Sequence, residues 1–96
     1  MQLMSFNDLR MTDYNMACGK GVFETDTCRC EAELFFYLQG PDCLDIRLGR
    51  HDKGVSTKAL EDYLSLHKTE IRRQIRPEIQ GLRAARGRQL IDMVML

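Results

Sequence analysis

Between Cys28 and Leu38 the chain alternates with a period of two. One set reads Cys28, Cys30, Ala32, Leu34, Phe36 and Leu38; the other reads Arg29, Glu31, Glu33, Phe35 and Tyr37. Successive side chains of a strand point to opposite faces, so this spacing predicts a strand with the first set in the core. The second set starts charged and ends aromatic. Its far end therefore expects cover on that face too, from a helix, a terminus or a partner chain. Gln39-Gly40-Pro41-Asp42 stops the strand, because Gly and Pro favour a turn.

A strand needs neighbours. Residues 20–24 fit the other arm of a hairpin, joined through Thr25-Asp26. Residues 43–48 alternate as a third strand, with Leu44, Ile46 and Leu48 expected inward, followed by a polar loop from Gly49 to Gly54. Near the start, Leu3, Phe6, Leu9 and Met11 fit one or two turns of helix.

After the loop the period changes. Ser56 is placed as a helix N-cap, with Val55 before it and Leu60 four residues after it as a hydrophobic staple. At about 100° per residue, Leu60, Leu64, His67, Ile71 and Ile75 share one stripe, flanked by Tyr63. Pro77 disfavours the α region for Arg76, so the first helix is expected to end there and a second to occupy 77–86. Gly87 is the expected stop. The apolar tail Leu90-Ile91-Asp92-Met93-Val94-Met95-Leu96 reads as a strand rejoining the sheet, with a continued helix as the alternative. The sum is a single α+β domain over 1–96: an antiparallel meander of about three strands, two helices and a C-terminal strand.

Charge is split along the chain. Residues 1–46 hold three bases and eight acids, whereas residues 47–96 hold eleven bases and six acids. Either the two halves neutralise each other within one fold, or each presents a surface to a partner. Seven bases, Lys68, Arg72, Arg73, Arg76, Arg83, Arg86 and Arg88, fall within the helical region, and six of them are Arg. The guanidinium fork suits carboxylate and phosphate alike. A formal net charge of zero differs from the strongly basic balance of nucleic-acid-binding domains, and no aromatic residue follows Arg72 to offer a stacking platform.

Cysteine chemistry is the other candidate. The spacing of Cys18, Cys28, Cys30 and Cys43 lacks a zinc-knuckle pair, and neighbours i and i+2 on a strand lie too far apart to share one zinc without a bulge. The four cysteines are therefore read as reduced and structural, and His67 as a rim histidine. No phosphate loop, nucleophile elbow, H-E-x-x-H or C-x-x-C motif occurs. The start lacks a basic segment followed by an apolar run, so no signal peptide is expected and the location is read as cytoplasmic. The resulting expectation is a small non-enzymatic adaptor or inhibitor without cofactor or metal. It would bind a larger protein through the Arg-rich helical face and an apolar strand face. A nucleic-acid-binding module using the same arginines is the alternative, and a small enzyme or cysteine-centred metal protein is a third. A homodimer is compatible with the same surfaces, and no membrane segment is expected.

Overall fold

The computed structural model describes the backbone of residues 1–95 and the side chains of residues 1–86. It is an α+β domain: strands β1 (Gln2–Asp13), β2 (Met16–Glu24), β3 (Arg29–Gln39) and β4 (Asp42–His51), then helices α1 (Thr57–Leu66) and α2 (Lys68–Met95). The strands form one antiparallel sheet in the order β1-β2-β3-β4. Four strands form, rather than three.

Strand β3 keeps the expected register from Cys30 onward. Cys30, Ala32, Leu34, Phe36 and Leu38 are buried, while Glu31 and Tyr37 are exposed. Cys28 departs from the expectation. It precedes β3, in a turn that Thr25 closes through its own N–H to the Cys28 carbonyl (2.8 Å) and its hydroxyl to the Cys28 N–H (3.1 Å), and it is exposed. Across the hairpin, β2 puts Ala17, Gly19, Gly21 and Phe23 on the core face. A Cβ at Gly21 would lie 2.9 Å from the Phe23 ring and 3.0 Å from Leu34, so the large neighbours already fill that space.

The N-terminal segment is a strand and not a helix. β1 carries extra residues against β2 at three places: between Leu3 and Ser5, between Asn7 and Arg10, and between Met11 and Asp13. Each bulge resets the alternation. Leu3, Phe6, Leu9 and Met11 therefore all pack against the core at a spacing of three or two. Asp8 lies in the middle bulge with φ +55°, a region Asp tolerates better than most residues.

β4 also differs from its reading. It starts at Asp42 and runs on to His51, so Gly49, Arg50 and His51 belong to the strand. Its pairing shifts between Tyr37 and Leu38, where Leu38 meets Cys43 and Tyr37 meets Asp45. Leu44 is the extra residue and is exposed, so Cys43 takes the inward place expected for Leu44. Gly40 adopts φ +57° at the first position of the two-residue β3–β4 turn, which Pro41 then completes.

Ser56 caps α1, its hydroxyl accepting from Ala59 N–H at 3.0 Å. Val55 is partly buried and packs against the core cluster to which Leu60 belongs. The apolar stripe continues through Leu64, Ile71 and Ile75 to Ile79, all buried on the same face of the sheet. The break between helices falls at His67 (φ −106°, ψ 15°) and not at Pro77, which lies inside α2. His67 is half-buried, its ring tilted by 34° against that of Tyr63 with centroids 4.3 Å apart, and it lies 3.7 Å from Glu70.

The expected C-terminal strand does not form, because the backbone remains helical through Met95. Ala84, Ala85, Arg86, Arg88, Gln89 and Leu90 are good helix formers, and a lone Gly87 costs only about 1 kcal/mol, too little to stop the helix. Nothing in that run supplies the turn needed to return to the sheet. Among the described residues, no helix is long and apolar enough to cross a membrane.

Candidate functional site

The basic residues of α2 lie next to its core stripe. With Ile71, Ile75 and Ile79 facing the sheet, a rotation of 100° per residue puts Lys68, Arg72, Arg76 and Arg83 along one flank. That flank runs beside the start of β4 and the β3–β4 turn. Lys68 pairs with Asp45 at 2.9 Å, and Arg76 stands 3.6 Å from Asp42. Arg72 donates through Nε to the Cys43 carbonyl. Arg83 donates to the Gly40 carbonyl and, at 3.2 Å, to that of Tyr14, whose ring lies 5.9 Å from its guanidinium carbon. The basic half thus meets part of the acidic half inside the fold.

This contact has a structural use. β4 is an edge strand, and edge strands expose backbone groups that invite unwanted pairing. Arg72 occupies one carbonyl there, and Asp45 accepts the Ile46 N–H at 2.9 Å. Asp45 also accepts from Arg47 Nε at 2.8 Å. The hydrogen bond from Lys68, with the Ile46 N–H next, lowers the Asp45 carboxyl from 3.8 to about 2. A carboxyl lowered on folding stabilises the fold above its unfolded pKa, and that stability is lost as pH falls through the folded value. Wild-type protein is therefore expected to lose stability between about pH 4 and pH 2. Asp45→Asn is expected to show a shallower slope over that window, measured by urea unfolding at a series of pH values.

Not all the arginines are used this way. Arg73 and Arg86 are exposed and make no hydrogen bond or ion pair among the described residues. The Arg88 side chain lies outside the described residues. Arg72, Arg73 and Arg76 line an open groove of about 280 Å³, together with Thr69, Asp42 and Cys43. Thr69, Arg72, Arg73 and Arg76 stand at i, i+3, i+4 and i+7, the spacing that collects side chains on one helix face. Asp42 is the one carboxylate in that lining. Thr69 and Asp42 escape a search for runs of like charge. The helical spacing of Thr69 from the arginines is the signal for the first, whereas Asp42 joins only through the β3–β4 turn.

The cysteines offer less chemistry. Cys18, Cys30 and Cys43 are buried, and all four are unpaired. Burial raises the Cys43 thiol above its ordinary value despite Arg72 beside it, and burial likewise raises Cys30. Raised thiols stay protonated at neutral pH and are poor nucleophiles or metal ligands. Among the described residues, no three His, Cys, Asp or Glu side chains gather where they could hold a metal ion.

The opposite face of the sheet carries no helix. Cys18, Val22, Phe35 and Tyr37 point to it; Cys18 and Val22 are buried and Phe35 is partly buried, whereas Tyr37 is 44 % exposed. The cover expected over the aromatic end of β3 is not supplied by α1 or α2, since both pack on the other face. Comparison with models of known families, with curated proteins and with solved structures finds no match to this chain.

Proposed function

We propose that this chain is a protein-interaction module, an adaptor or inhibitor that binds an acidic segment of a larger protein at the α2–β4 groove. On the other face of the sheet the exposed Tyr37 ring, beside the partly buried Phe35, would extend the contact. The observation that carries this reading is uncompensated charge. Lys68 and Arg83 are engaged by the fold, but three guanidinium groups border a groove that holds the single carboxylate of Asp42, 3.6 Å from Arg76. Arg72 is held by the fold through its bond to the Cys43 carbonyl, but half-exposed pairs at 3.6 Å contribute little to stability, so the charges of Arg73 and Arg76 serve folding poorly. The groove has no aromatic lining, which favours a protein partner over a stacked nucleic acid.

The test is affinity purification of the intact chain from its native cells, with and without nuclease, beside an Arg73→Gln/Arg76→Gln variant. Arg72 is left intact, because its bond to the Cys43 carbonyl makes it part of the fold. The variant is expected to unfold within about 0.5–1 kcal/mol of wild type, since both side chains are exposed. Wild type is expected to retain a stoichiometric protein after nuclease, and the variant to bind it about tenfold or more weakly. Equal retention by the variant would overturn the reading. Loss of all bound material on nuclease treatment would replace it with nucleic-acid binding.

A further inference from the structure

We infer that the α2–β4 groove is a site for a phosphate monoester dianion carried on the partner's chain; this rests on the reading of the groove as a protein-binding surface. Three features point to phosphate rather than a single carboxylate.

The first is donor count. Thr69 supplies a hydroxyl, and Arg72, Arg73 and Arg76 supply three forks from one helix face. A carboxylate has two acceptor oxygens and one charge. A phosphate monoester has three strong acceptor oxygens and a charge of about −1.5 to −2. After Asp42 is counted, two guanidinium charges are left over in the lining, which matches the dianion.

The second is preorganisation. Arg72 is tied through Nε to the Cys43 carbonyl, and both its terminal nitrogens are without a hydrogen bond among the described residues. The planar guanidinium is therefore already oriented, with its outer donors free. Groups held in place before binding lose less entropy when a ligand arrives.

The third is the present neighbour. Asp42 lies beyond hydrogen-bonding distance of Arg76, at 3.6 Å, and both side chains are about half exposed. It sits at the end of the β3–β4 turn, opposite Gln39. It acts as a weak internal competitor for the same cations. Neutralising it should favour an incoming anion, so the site predicts a gain of affinity that an unfolded or damaged protein cannot imitate.

The probe is a glycine/alanine hexapeptide carrying one phosphoserine, titrated into the full chain and followed by NMR at the arginine Nε–H groups. The same peptide with serine, and with glutamate, provides the comparison. Saturable shifts are expected at Arg72 and Arg73 with phosphoserine. Binding should weaken about tenfold in Arg73→Gln and tighten several-fold in Asp42→Asn. Shifts that do not saturate, or a glutamate peptide that binds equally well, would overturn the phosphate assignment. A partner retained by the chain after phosphatase treatment of the extract would also overturn it, while leaving the interaction reading standing. A chain that retains no partner even from untreated extract would overturn both.

Discussion

Phe36→Ala is expected to destabilise the domain by about 3–5 kcal/mol, with a melting temperature lower by about 15–30 °C. The Phe36 side chain is fully buried at the centre of the sheet face that carries the helices. Its ring meets that of Phe6 edge to face, with centroids 5.9 Å apart. Truncation removes the transfer free energy of the ring and leaves a cavity in the core, because its neighbours relax only partially. A domain of this size has roughly 5–15 kcal/mol in total, so the loss is a large share of it. Tyr37→Ala, one residue further on, is the comparison. Tyr37 points to the uncovered face and is 44 % exposed, so its loss is expected to cost about 1 kcal/mol or less. Urea unfolding of both variants checks the register of β3. A shift of one residue would exchange the two results, because the side-chain period of a strand is two.

That register was legible because β3 is regular, with each residue of Cys30–Leu38 taking its turn inward or outward. Where the chain departs from regularity, the same reading fails, and for identifiable reasons. Leu3, Phe6 and Leu9 are spaced by three, which is a helical interval. Here it arises from bulges that add a residue to each step of a strand. Leu44 follows the alternation of its neighbours in sequence, but a shift in pairing turns it outward and brings Cys43 in. A bulge depends on the partner strand, so its own strand carries little trace of it. The helical stripe from Leu60 to Ile75 was readable, since burial dictates it. The break at His67 was not, because the stripe runs through it undisturbed. The candidate site was half legible. The arginines stand out in sequence, and their helical spacing shows that they share a flank. Their partners are backbone carbonyls of Cys43, Gly40 and Tyr14 and the carboxylates of Asp42 and Asp45, which only the folded meander brings to that flank. The charge split along the chain is thus partly an internal contact that closes an edge strand, and only the remainder is available to a partner.

The same helix yields a substitution that should strengthen the protein. Pro77 lies inside α2, where it has no N–H to offer the Arg73 carbonyl and its ring crowds that carbonyl. A proline in a helix interior costs about 3 kcal/mol relative to alanine. It is tolerated here because Pro77 is exposed, on the side away from Ile75 and Ile79, so water can reach the unpaired carbonyl. Pro77→Ala is therefore expected to stabilise the domain by about 2–3 kcal/mol, with a melting temperature higher by about 8–20 °C. The gain should appear in global unfolding. Pro77 stands between Ile75 and Ile79, both fully buried, so that turn of the helix cannot open without breaking the core. Gly81→Ala provides a graded comparison. A Cβ there meets nothing within 4 Å, and the helical gain is about 1 kcal/mol at most. Gly81 also follows the last buried isoleucine, so less of its gain is coupled to the core. Thermal unfolding followed by circular dichroism should rank Pro77→Ala above Gly81→Ala, and both above wild type. An unchanged melting temperature for Pro77→Ala would mean that the helix divides at Pro77, with the proline at the first position of a separate segment, where its missing N–H costs nothing.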